Sequence, residues 1–215
     1  MRASEPTTAS AQASRVAVWD PVVRFGHWAL AAAFATAYLS AEEEAGGPDA
    51  LHVWGGYAVG ALVVLRILWG FIGPQHARFA DFVCGPIAAL RHLIDMLVGR
   101  ARRHLGHSPA GGAMVIALLV CLALTVVTGL VAYGERGKGP LAGGNGILVT
   151  DALADGGQAE HGTGVESSIG DLHGALANIT LALVILHIMG VVLASIVYRE
   201  NLVAAMINGK KRARL

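Results

Sequence analysis

LHGALANITLALVILHIMGVVLASIVY, from Leu172 to Tyr198, runs for 27 residues without an Asp, Glu, Lys or Arg. That is long enough for a helix to cross a hydrocarbon layer of about 30 Å. It nevertheless holds His173 and His187, 14 residues apart. At about 100° per residue both rings fall on one side of the helix, and at about 1.5 Å per residue they lie about 21 Å apart along its axis. A polar ring inside a membrane helix is costly unless it meets a partner. Two rings on one face at two depths imply two partners stacked across the membrane.

The rest of the chain has the composition of a membrane protein. It is 54% hydrophobic and 14% charged, with a mean hydropathy of +0.56, too apolar for an ordinary soluble domain. A formal net charge of +1 provides no field for nucleic acid. Cys84 and Cys121 form no CxxC or CxxCH pattern, which leaves out a disulfide framework, a thiolate metal site and covalent haem attachment.

Working outward from the quoted stretch, three further apolar runs are visible. The spans are expected at about 21–41, 51–72, 113–133 and 171–198. Asp20-Pro21 opens the first as an N-cap followed by proline, and the acidic turn from Glu42 to Pro48 closes it. Between the second and third spans, PIAALRHLIDMLVGRARRH (Pro86–His104) alternates apolar and basic residues at helical spacing, the pattern of an interfacial helix on a membrane surface. A Gly-rich loop, 134–170, joins the last two spans. Residues 1–15 read as a flexible cytoplasmic tail, with no apolar region and cleavage site after Arg2. The fold class expected is therefore an all-α membrane protein, a four-transmembrane-helix bundle with one interfacial amphipathic helix, as a single domain over residues 16–215.

Fourteen of the 16 Lys and Arg residues fall on one side of this arrangement; only Arg136 and Lys138 fall on the other. The positive-inside rule then places both termini in the cytoplasm. The opposite, outer loops hold ten carboxylates against those two bases, a difference of −8.

Four of the nine histidines lie in or at the ends of spans. His52 and His173 are near the outer surface. His27 and His187 each lie about 21 Å below it. Of the three ways to pair them, only His27 with His187 and His52 with His173 put each pair at one depth. Facing neutral imidazoles suit the two axial positions of a haem iron, non-covalently bound. Zinc would need a third and fourth nitrogen, sulfur or oxygen ligand. Taken singly, each histidine has a plain structural reading as a donor to a backbone carbonyl.

Arg66 is 14 residues after His52, so it shares that face at the depth of the inner pair. A haem propionate would answer its charge; snorkelling to the cytoplasmic interface is the alternative. Arg24, one turn before His27, is a second candidate for the same role, or an ordinary positive-inside anchor. Gly129 and Gly190 interrupt good helices, either to let a flat macrocycle approach the backbone or to let helices pack. His76, His92, His104, His107 and His161 read as solvated.

The stretches WDPVVRFGHW (Trp19–Trp28), LH…G…LRILWGFIG (Leu51–Gly73) and the ending from Leu172 to Arg212 resemble the prokaryotic cytochrome b561 family, which includes b-type cytochrome subunits of nickel–iron hydrogenases. The resemblance implies two b haems held by His27, His52, His173 and His187 in a bacterial inner membrane. It also implies electron exchange between a periplasmic redox partner and quinone. The acidic outer face favours a basic partner such as a c-type cytochrome. It disfavours an alternative within the family, oxidation of superoxide with quinone as acceptor, because an anion would be repelled. Two further rivals are a histidine-lined metal transporter and a structural membrane anchor.

Overall fold

In the computed structural model, residues 15–41, 43–44, 47–142 and 164–213 are described. The expected N-terminal tail, apart from Arg15, and most of the Gly-rich loop lie outside them. The described residues form seven α-helices and two short antiparallel ribbons. The long helices are α1 (Pro21–Leu39), α2 (Ala50–Ile72), α5 (Pro109–Glu135) and α6 (Gly164–Val197), with the short helices α3 (Phe79–Phe82), α4 (Pro86–Leu97) and α7 (Leu202–Asn208) on the side where the chain ends meet.

Local chemistry fixes the helix ends. Asp20 caps α1, its Oδ1 accepting from Val22 N at 2.9 Å and Val23 N at 3.2 Å, with Pro21 at the first position. Ser108 caps α5 by accepting from Gly111 N at 3.2 Å, again followed by proline. Helix α7 stops at Gly209, whose φ of 78° is the left-handed conformation glycine adopts without strain. The amphipathic helix α4 ends at Leu97, short of the expected His104, because Gly99 turns left-handed at φ 71°.

Helices α1 and α2 pack as one hairpin and α5 and α6 as another, joined through α2 against α5. The core at that junction is Val59 and Val63 of α2 with Leu119 and Leu122 of α5, flanked by Leu30, Ala33 and Phe34 of α1. It is a thin core. Leu68, Val127, Ile188 and Val192 on the long helices are all exposed, the disposition of side chains whose solvent is lipid. Three helices, α2, α5 and the Ser168–Val197 part of α6, are long and apolar enough to cross a membrane. Helix α1 has the length, 19 residues, but Arg24, His27 and alanines in place of larger side chains lower its apolarity.

The basic tail is zipped to the start of the described residues, a pairing that no residue pattern marks. Strand β1 (Arg15–Ala17) lies antiparallel to β4 (Lys210–Arg212), Val16 opposite Lys211. The other ribbon pairs β2 (Glu43–Glu44) with β3 (Gly47–Pro48). Arg103 locks the first ribbon in place. It donates to both oxygens of Glu200 at 3.0–3.2 Å and to Arg212 O at 2.6 Å, while Glu200 also accepts from Arg212 N at 3.0 Å. A forked, charge-assisted pair with both partners mostly shielded is the stronger kind of ion pair.

Candidate haem sites

Helix α6 carries one histidine of each pair. Its His187 meets His27 of α1, with ring centroids 6.3 Å apart and planes inclined by 55°. Its His173 meets His52 of α2, with centroids 5.9 Å apart and planes at 88°. The backbone of α6 approaches α5 closely but stands off from α1 and α2, so the rings reach across a separation between helices. A metal–imidazole bond of about 2 Å, plus about 1.2 Å from ring nitrogen to centroid on each side, would put two axial rings about 6.4 Å apart. Both observed separations are near that value.

The donor set fits a macrocycle better than a bare ion. Among the described residues, no three His, Cys, Asp or Glu side chains gather as a metal site. An ion relying on protein ligands lacks donors here, whereas a haem brings four nitrogens and needs only the two axial ones.

The outer rings are held in one tautomer. His52 Nδ1 donates to Ala37 O at 2.8 Å, and His173 Nδ1 donates to Thr125 O at 2.9 Å, with Thr128 Oγ1 at 3.4 Å. A carbonyl only accepts, so Nδ1 carries the hydrogen and Nε2 keeps its lone pair for a metal. Glycines permit both contacts. A Cβ on Gly55 would lie 3.0 Å from Ala37, and one on Gly129 would lie 2.8 Å from His173 Cε1. The flat group lying against Gly129 is thus the His173 ring itself. Nothing lies within 4 Å of a Cβ built on Gly190.

The inner end is different. His27 Nδ1, Arg24 Nε and Arg66 Nη1 are buried and have no hydrogen-bond partner. Buried polar atoms are rarely left so, and an anionic group entering at this level would satisfy them. The Arg66 guanidinium lies over Phe79 at 5.3 Å and Phe82 at 6.0 Å. Another Arg24 nitrogen, Nη2, donates to Ile207 O at the end of α7, which ties α1 to the C-terminal segment.

Midway between the levels, seven residues from each α6 histidine, Thr180 is fully buried. Its hydroxyl bonds Leu176 O at 2.8 Å and lies 3.3 Å from Thr125 Oγ1, a polar contact between α5 and α6. Tyr38 OH donates to Asn178 Oδ1 at 2.7 Å and links α1 to α6. Sequence reasoning missed Ala37, Thr125 and Thr180. The first two act through main-chain carbonyls, which have no residue signature, and a lone threonine in a span resembles any other.

Two histidines read as solvated are not. His92 is buried, its Nε2 3.3 Å from Tyr198 OH. His107 is wedged between Trp19 and Phe82, with centroids at 4.6 and 4.4 Å, and its Nδ1 is buried without a partner. Burial, then Arg66 and Lys211, push the His107 pKa down to about 3, against a smaller raising effect of Asp81 and a further lowering by His76. The unfolded chain therefore takes up this proton near pH 6.5 and the folded one only near 3. Stability falls as pH drops below 6.5, by about 2 kcal/mol at pH 5 from this group. Thermal unfolding in detergent at pH 7 and pH 5 should show a midpoint drop about 5 °C larger for the natural chain than for His107→Phe. Equal drops would mean His107 is not the group responsible.

Comparison with curated proteins and with solved structures returned no match. The family model described as prokaryotic cytochrome b561 matches residues 18–209, and the chain is therefore a member of that family, a membrane-bound b-type cytochrome of electron transfer.

Proposed function

We propose that this protein is a di-haem b cytochrome of a bacterial inner membrane that relays electrons between a periplasmic redox partner and the quinone pool. The observation that carries this reading is the pair of facing imidazoles at each of two levels, at 5.9 and 6.3 Å. When bound, haem b supplies one-electron chemistry at iron. The protein's part is to orient the four rings, exclude water from them, and offer Arg66 Nη1, and Arg24 Nε more weakly, to propionates at the inner level.

Four spans are supported by the ends of the chain. Strand β1 precedes α1 and β4 follows α6, yet the two are paired, so both ends lie on one side. An even number of crossings lies between them, and α1 makes the fourth beside α2, α5 and α6. The excess of Lys and Arg on that side assigns it to the cytoplasm. There α4 buries His92 and Met96 and exposes Ile87, Leu90, Ile94 and Leu97, a face suited to lie in the lipid interface.

The outer surface, with its excess of carboxylates, suits a basic donor such as a c-type cytochrome, or a hydrogenase presenting a basic patch. Quinone as the inner acceptor rests on the family resemblance. The test is a reduced-minus-oxidised spectrum of the purified chain with haem counted as pyridine haemochromogen. Two b haems per chain are expected. One would remove the relay through this chain alone, and none would return the histidines to a transport or structural role.

A further inference from the structure

Helix α6 ends on a residue its backbone does not favour. Arg199 N bonds Ile196 O at 3.2 Å and Glu200 N bonds Ser195 O at 3.1 Å, a closing turn in which glycine usually takes the left-handed position. Here Arg199 takes it, at φ 49°, and among the described residues no other side-chain-bearing residue has a positive φ. A β-carbon disfavours that conformation, so local backbone preference does not account for an arginine at this point.

The Arg199 side chain borders an open groove of about 420 Å³ between the end of α6 and the start of α7. Val191, Val192 and Ile196 of α6 and Val203 of α7 form its apolar wall, with Arg199 and Glu200 past the helix end. Val192, Ile196 and Val203 are exposed, as side chains solvated by lipid are. Glu200 is the acid in the lining, and its carboxylate is committed. Both oxygens accept from Arg103, and Oε1 also accepts from Arg212 N. The charge left over is positive. Arg212 is anchored beside Glu200 by that bond, and Arg102 beside Tyr198, whose OH donates to Arg102 O at 3.4 Å. Arg102, Arg199 and Arg212 are all exposed, and none forms an ion pair among the described residues.

An apolar wall running back along the span, with unpaired guanidinium groups at its end, is complementary to an acyl chain that carries an anionic phosphate. A neutral ring compound would cover the wall and leave the cations unanswered. A zwitterionic lipid brings its own cation to compete for the phosphate.

We infer that the groove between α6 and α7 is a site for one anionic phospholipid, its acyl chain along Val191, Val192, Ile196 and Val203 and its phosphate on Arg199, with Arg102 and Arg212 adding to the field. Bound there, the lipid fastens α7 to the end of α6. The inference needs the membrane setting of the chain and not its haem count, so it stands or falls apart from the di-haem reading.

The experiment exposes the full-length haem-loaded protein to mixed micelles of equal phosphatidylglycerol and phosphatidylcholine and counts retained lipid by native mass spectrometry. One phosphatidylglycerol per chain is expected, kept over phosphatidylcholine by about fivefold or more. Arg199→Gly suits the backbone and removes the charge. It should keep the haem content of the natural chain and lower retention about fivefold, the weight of one cation at an anionic lipid surface. Val192→Trp fills the groove from a lipid-facing position, leaves every arginine in place, and should lower retention as well. Arg91→Gln removes an exposed charge from α4, away from the groove, and should change nothing. Equal retention of the two lipids, recovery of quinone in place of phospholipid, natural retention in Arg199→Gly or Val192→Trp, or an equal loss in Arg91→Gln would each overturn the site.

Discussion

On the di-haem reading, His52→Ala should leave one b haem per chain, the inner one, and His187→Ala should leave the other. The selectivity follows from the spacing of 14 residues between His173 and His187, about four turns or 21 Å of helix. No side chain reaches from one level to the other, so the loss of a ligand at one level removes its haem without unseating the second. The absorption band lost with each ligand identifies the group as haem, because zinc has no visible band to lose. The haem that remains also reports on folding, because a collapsed bundle would hold neither. The cost to the fold itself is small. His52→Ala gives up one hydrogen bond to Ala37 O, about 1 kcal/mol. Haem content should therefore halve in both variants while electron flux from an outer donor to quinone falls to background in each. His27→Ala should behave as His187→Ala, and His173→Ala as His52→Ala. If His52→Ala and His27→Ala instead remove the same spectral band, the pairing is wrong and the relay loses its order.

Much of this arrangement was readable because a membrane helix converts residue number into depth. Spacings of 14 residues, from His173 to His187 and from His52 to Arg66, encode face and level together, and the rings at matching depths are those the structure brings within 6.3 Å. Asp20-Pro21 announced the start of α1 through local chemistry alone. What stayed hidden depends on partners distant in sequence. Nothing in RVA or KKR marks β1 and β4 as strands; they pair because Arg103 and Glu200 bring the tail back. His107 looks like any loop histidine until Trp19 and Phe82 close on it. Gly129 was legible as a place of close approach but not as to what approaches. Helix α1 shows the opposite difficulty. Its alanines and Arg24 weaken the apolar signal of a span, although its histidine faces one.

Gly129→Ala should unseat the outer haem, although glycine to alanine within a helix ordinarily stabilises by about 1 kcal/mol. The new Cβ would lie 2.8 Å from His173 Cε1 and 3.1 Å from its Nδ1, closer than such atoms pack. The ring has no easy retreat. Its Nδ1 is held to Thr125 O at 2.9 Å, one turn earlier on the same helix as Gly129, and on its other side it faces His52 at 5.9 Å. Relief requires either breaking the Thr125 hydrogen bond or moving α5 from α6, against the Thr125–Thr180 contact buried between them. Either change misdirects Nε2. Loss of such a positioning contact typically costs ten- to hundredfold in metal-site affinity, so purified Gly129→Ala should carry close to one haem per chain and lack the outer band. Gly190→Ala is the control on the other interrupted helix. Nothing stands within 4 Å of its added Cβ, so both bands should persist. If Gly129→Ala retains two haems with unchanged bands, the His173 ring is not wedged against α5, and Thr125 O has no part in setting its tautomer.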